Sequence, residues 1–185
     1  MTLIKSENTA LILIDVQQGF DSSYWGKRNN QGAESNMKKL LLQWREKKMP
    51  VIHVKHNSTE LASPLRPGQD GNNFKPEIEP LAGEQIEEKN VNSAFIGTGL
   101  EKYLRGHDIK TVVLVGLTTD HCVSTTTRMA ANLGFETLVV ADATATFNRT
   151  AVDGTNLDAN EVHKFALASL SGEFATVVNT AQLLE

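Results

Sequence analysis

Five short runs along the chain are nearly unbroken in their apolar character: Ala10 to Val16 (ALILIDV), Pro50 to Val54 (PVIHV), Thr111 to Gly116 (TVVLVG), Phe135 to Ala141 (FETLVVA) and Phe174 to Val178 (FATVV). A strand with one wet face alternates apolar and polar residues. A strand that does not alternate must be covered on both faces, as inside a parallel sheet. Helical patterns lie between the runs. Met37, Leu40, Leu41 and Trp44 fall at i, i+3, i+4 and i+7, and Pro50 follows their last turn. Leu100, Tyr103 and Leu104 make a shorter apolar face. The stretch from His121 to Leu133 suits a helix with Gly134 placed to stop it, and Val162, Phe165, Ala166, Ser169 and Leu170 form a further stripe. Strands alternating with helices imply right-handed βαβ crossovers. The predicted fold is therefore α/β, a three-layer αβα sandwich around a mostly parallel, Rossmann-like sheet. With 185 residues, a single domain over residues 1–185 is expected.

Two further segments matter to this layout. Asn57 to Pro80 holds four of the five prolines. A loop of that length is expected to be a lid, an oligomer contact or a plain surface connection. A short strand-like stretch, Gln85 to Glu88, then leads into Lys89.

Composition narrows the function. The chain is 40% hydrophobic and carries a net charge of −4, so no basic excess points to nucleic acid or an anionic membrane. No apolar run approaches the roughly 20 residues of a membrane span. The opening MTLIKSENTA lacks the residue order of a signal peptide, and the expected location is cytoplasmic. One cysteine allows no intrachain disulfide and no thiolate-rich metal site; it is either a small buried hydrophobe or a reactive thiol.

Ligands of open α/β sheets bind beyond the carboxyl ends of the strands, near the switch in strand order. At those ends the sequence places Asp15, then Lys55 and His56, then Lys89, then the GLTTDHC turn from Gly116 to Cys122, then Asp142. Cys122 is expected in the first turn of a helix, with Thr118, Thr119 and Asp120 as N-cap candidates. There the helix dipole and unpaired N–H groups would lower the thiol pKa and receive a developing oxyanion. The competing reading, a structural cysteine, fits a mid-strand or mid-helix position better. Asp15 ends the run LILID, so its carboxylate is either paired with a structural group or turned to a cleft. Lys89 taken alone reads as a solvated lysine. The five histidines show no HxxxH or HExxH spacing, and no metal site is expected. His53 and His56 should point to opposite faces, leaving His56 as a candidate substrate ligand. His121 neighbours the thiol in sequence, but consecutive helical residues diverge, which disfavours a Cys–His dyad.

Asp15 in LIDVQQGF, Lys89 in EEKNVNSAF and Cys122 in GLTTDHCVSTT, in this order, resemble the isochorismatase-like cysteine hydrolases, which include nicotinamidases and carbamoylsarcosine hydrolases. The resemblance covers essentially the whole chain and is most specific from Thr111 to Phe147. It implies a six-stranded parallel sheet and a triad of Asp15, Lys89 and Cys122. Asp15 would be the general base, Lys89 the group that stabilises the thiolate, and Cys122 the nucleophile that forms a thioester. It further implies a cis peptide between Leu117 and Thr118, and an oxyanion hole from the N–H groups of Thr118 and Cys122. Where metal-binding nicotinamidases carry Asp-x-His, this chain has His56-Asn57-Ser58, so the resemblance implies neither metal nor other cofactor. A cysteine in this slot favours cleavage of a C–N bond in a small amide or cyclic amide. The alternatives are an isochorismate-type vinyl-ether hydrolase using Asp15 and a non-catalytic small-molecule-binding protein. Within such a subgroup Phe20, Trp25, Asn29, His56, Asn92 and Phe95 would line the substrate pocket; Trp25 and Phe95 read equally well as packing or dimer-contact residues. A homodimer or homotetramer is implied.

Overall fold

The computed structural model describes residues 8–184. Most of the opening segment read above for targeting lies outside the described residues. The order is β1 (Thr9–Ile14), α1 (Ala33–Glu46), β2 (Val51–His56), β3 (Gln85–Lys89), α2 (Leu100–Gly106), β4 (Thr111–Leu117), α3 (Ser124–Asn132), β5 (Glu136–Ala145), a small hairpin of β6 (Arg149–Thr150) and β7 (Asn156–Leu157), α4 (Ala159–Ala168) and β8 (Thr176–Val178). Six strands form one parallel sheet in the order β3-β2-β1-β4-β5-β8. The chain builds outward from β1 in one direction and from β4 in the other. The switch in strand order therefore lies between β1 and β4.

The unbroken apolar runs follow from coverage on both faces. Leu11 and Leu13 of β1 and Val113 and Val115 of β4 pack on Met37, Leu40, Leu41 and Trp44 of α1. Ala10, Ile12 and Ile14 of β1 and Val112 and Leu114 of β4 turn the other way, against Leu100 and Leu104 of α2 and Ala130 of α3. Each fully buried Leu or Ile contributes about 1.5–3 kcal/mol relative to exposure. Gly134, at φ +86°, stops the chain after α3 as anticipated. The last stripe is met in part: Leu170 is buried and Val162 and Ala166 are half-buried. A capping box of Asp158 and Glu161 starts α4 at Ala159, and the helix ends at Ala168. Its buried line runs through Ala159 and Leu167 to Leu170 beyond the helix end, while Phe165 is 69% exposed and Ser169 also faces out. No helix among the described residues is long and apolar enough to cross a membrane.

The 57–80 segment is folded down onto the sheet. The Gln18 N–H bonds to the Asn73 carbonyl, the Lys75 N–H bonds to the Val16 carbonyl, and Leu65 and Ile78 join the core on the α1 side. Lys75 is nearly buried and reaches both Asp21 and Glu34, and the two terminal nitrogens of Arg28 each donate to Glu34 at 2.6 Å. Burial opposes the Glu34 charge, but these two cations outweigh it and hold its pKa at about 2.

Gly116 lets β4 pass close to β1. Its φ is +124°, and a Cβ there would sit 2.1 Å from the Ile14 carbonyl oxygen. Gly116→Ala is expected to cost at least about 3 kcal/mol in denaturant unfolding, from combined strain and overlap. Glu34 has a lower pKa folded than unfolded. Its stabilisation is therefore complete above the ordinary value of 4.5 and is lost as pH falls toward 2. Glu34→Gln should lower stability at pH 7 by about 2 kcal/mol, allowing for partial solvent screening, and the gap should shrink on acidification through that window. A gap that does not change with pH would refute the assignment.

Candidate active site

Four side chains meet beyond the carboxyl ends of β1, β2, β3 and β4. The chain leaves β1 at Asp15 in a left-handed conformation, φ +52°, which aspartate tolerates better than most residues. The Asp15 N–H still bonds to the Val54 carbonyl, and the Asp15 carbonyl accepts from the Gln17 N–H, both at 2.9 Å. On the neighbouring strands His56 and Lys89 stand opposite one another in register. Cys122 lies in a π-helical turn, Thr119–Val123, that precedes α3.

This turn corrects the expected first turn of an α-helix. Thr118 occupies the cap position without a side-chain capping bond. The Thr119 and Asp120 side chains are engaged elsewhere. Thr119 Oγ1 lies 2.9 Å from His163 Nδ1, and Asp120 accepts from Thr146 and, at 2.8 Å, from Arg149 Nε. The Leu117–Thr118 peptide is cis.

The Lys89 ammonium is the centre of the cluster. Its Nζ lies 2.6 Å from Asp15 Oδ2, 3.1 Å from His56 Nδ1 and 3.3 Å from Cys122 Sγ. Burial works against its charge, but the Asp15 carboxylate and the Cys122 sulfur outweigh burial and raise its pKa. Asp15 is fully buried, and its second oxygen, Oδ1, accepts no hydrogen bond among the described residues. Asp15, His56 and Cys122 offer ligand atoms within 4.8 Å of one another, a spacing that suits a metal ion. The ammonium already bonds to all three, so an ion would have to displace it against like-charge repulsion.

The expected lowering of the thiol pKa is overturned. Burial raises it most, the Asp15 charge raises it further, and Lys89 only partly offsets both. Both burial and the Asp15 charge therefore favour the thiol form of Cys122 over the thiolate.

The remaining candidates separate. Phe20 and Trp25 stack on each other at 4.9 Å and on Phe147. Asn29 holds the end of β5 by accepting from the Thr146 N–H at 2.7 Å. Phe95 stacks on Phe135, and Asn92 is exposed. None of these five has a hydrogen bond or ring contact to Asp15, Lys89 or Cys122 among the described residues. Asp142 lies within β5 and anchors Thr180 through its N–H and hydroxyl, while Lys55 sits over the Phe74 ring. His53 is fully buried against Glu84, on the opposite side of β2 from His56. Sequence reasoning missed Gln17. Its side chain accepts from the His56 N–H at 2.8 Å and donates to the carbonyls of His56 and Asn72. The only sequence signal was an amide two positions after Asp15 in LIDVQQGF; that Gln17 is fully buried shows only in the structure.

Comparison with known proteins agrees with this fold. The isochorismatase domain model matches residues 9–182. The chain belongs to the isochorismatase family. Among its relatives, the uncharacterised isochorismatase family protein YrdC of Bacillus subtilis is 48% identical over 96% of this chain and 95% of its own length. Nicotinamidase 3 of Arabidopsis thaliana is 29% identical, covering 96% of this chain and 88% of its own. A crystal structure of an isochorismatase-family protein from Chromobacterium violaceum superposes with a TM-score of 0.94 at 44% identity, covering 98% of this chain and 94% of that one. The protein is thus an isochorismatase-family hydrolase.

The reading of the thiol makes a two-sided prediction. Asp15→Asn removes the nearest negative charge from Cys122. The thiol pKa, read from the pH dependence of iodoacetamide alkylation, should fall, while hydrolysis drops by about a hundredfold or more. An unchanged or higher thiol pKa in this variant would refute the electrostatic account.

Proposed function

We propose that this protein hydrolyses a C–N bond of a small amide through a thioester on Cys122. The contact of the Lys89 ammonium with both Asp15 and Cys122 in one buried cluster carries this reading. Nicotinamidase 3, an amide-cleaving relative by name, supports it.

In this mechanism the free Oδ1 of Asp15 takes the Cys122 proton as the sulfur attacks the carbonyl carbon. The new C–S bond displaces the carbonyl π electrons onto oxygen, and the N–H groups of Thr118 and Cys122 receive that charge. The C–N bond then breaks, and Asp15 passes its proton to the departing nitrogen. Asp15 next removes a proton from water, whose oxygen attacks the thioester carbon; the C–S bond breaks, the carboxylic acid leaves, and Asp15 returns the proton to the Cys122 sulfur. Lys89 keeps its proton throughout. Its raised pKa suits a fixed positive charge that favours the thiolate at the moment of attack.

Cys122→Ala is expected to abolish turnover of any amide the wild type accepts, with a loss of at least about a thousandfold in kcat/KM. Lys89→Met should lose comparable activity. A panel of nicotinamide, carbamoyl compounds and cyclic amides supplies the substrates. Amide turnover that survives Cys122→Ala would refute the thioester, and cleavage of isochorismate that survives Cys122→Ala but not Asp15→Asn would replace this reading with a vinyl-ether hydrolase.

A further inference from the structure

His56 is held more firmly than a residue at a strand end requires. Its N–H donates to Gln17 Oε1 at 2.8 Å, and its carbonyl accepts from Gln17 Nε2 and Asn72 Nδ2, each at 3.1 Å. Gln17 and Asn72 are both buried. The fold thus spends two buried amide side chains on the main chain of one residue. Its side chain is equally constrained. Lys89 Nζ has only hydrogens to offer, so His56 Nδ1, 3.1 Å away, must be the acceptor. The ring hydrogen is then on Nε2, which points away from the ammonium. Nε2 makes no hydrogen bond among the described residues, and His56 is half-buried beside the cluster of Asp15, Lys89 and Cys122.

We propose that His56 is a specificity-determining donor: a neutral imidazole locked by Lys89 in its Nε2–H form, which offers that hydrogen to a second oxygen acceptor on the substrate, beyond the amide that is cleaved. The inference rests on the amide-hydrolase reading and deepens it. The favoured substrates are small amides bearing a further carboxylate or carbonyl. A fixed donor discriminates strongly, because an analogue lacking the acceptor leaves the donor unpaired. The charged neighbours of the ring are Lys89, whose ammonium repels a second ring proton, and Asp15, whose carboxylate partly offsets it.

The test uses succinamate and butyramide, amides of similar length with and without the second acceptor. In ¹⁵N-labelled protein at pH 7.5, long-range ring correlations should show His56 as the Nε2–H tautomer, assigned by its loss in His56→Asn. In the Cys122→Ala background, succinamate should bind about tenfold or more tighter than butyramide and shift the His56 Nε2–H signal. His56→Phe should erase the preference. His56→Gln, whose amide can reach the same point, should restore part of it, which simple loss of packing would not allow. An Nδ1–H tautomer, a failure of succinamate to bind, or a preference that survives His56→Phe would overturn the proposal. None of these readouts needs turnover. A wild type that hydrolyses no amide would sink the hydrolase reading while the His56 measurements stand on their own.

Discussion

The Lys89 side chain is fully enclosed, and an ammonium deprived of water needs an acceptor for each of its three N–H bonds. It finds them on Asp15, His56 and Cys122, which come from three different elements. Lys89 itself ends β3, and its partners follow β2, β1 and β4, the next three strands across the sheet. One long side chain therefore ties four successive strand ends together. A buried cation left short of partners costs several kcal/mol, so the placement of each partner is constrained by the others. The left-handed turn at Asp15 and the close passage of Gly116 past Ile14 are the backbone terms of the same constraint. Both bring the ends of β1 and β4 close enough for their side chains to share one positive charge.

That shared charge also sets how the thiol behaves. A cysteine beside a lysine alone would ionise readily. Here the carboxylate that keeps Lys89 charged also faces the sulfur, and burial adds to its effect, so the proton stays on the thiol at rest. The arrangement stores reactivity without exposing a thiolate. The same positive charge keeps His56 neutral, since burial and the ammonium both lower its pKa.

The long loop supports the site from outside. Asn72 and Gln17 fix the main chain of His56, and Lys75 bonds to both Asp21 and Glu34, joining the loop to the segment before α1 and to the first turn of α1 itself. These contacts make the loop a brace packed against the strand ends.

The sheet was legible in sequence because apolar continuity is a local signal: residues covered on both faces must be apolar wherever the strand lies. Asp15 was legible because a carboxylate at the end of such a run is costly unless used, Cys122 because it follows a buried strand at an expected helix start, and Lys89 only because its motif matches a known family. The final stripe was legible only in part, because which face of α4 packs on the sheet is decided by its docking, which buries Leu167 and Leu170 and leaves Phe165 exposed. The contacts of His56, the clamp from Gln17 and Asn72, and the direction of the thiol pKa depend on distances between residues tens of positions apart. Hydrogen bonds and charge interactions act through space over a few ångströms, and sequence separation carries no measure of that. The sequence by itself determined which segments form the sheet, though β5 runs past the expected end at Asp142 to Ala145. Only the tertiary structure decided that a single ammonium is shared among three acceptors, and with it the direction in which the Cys122 thiol pKa moves.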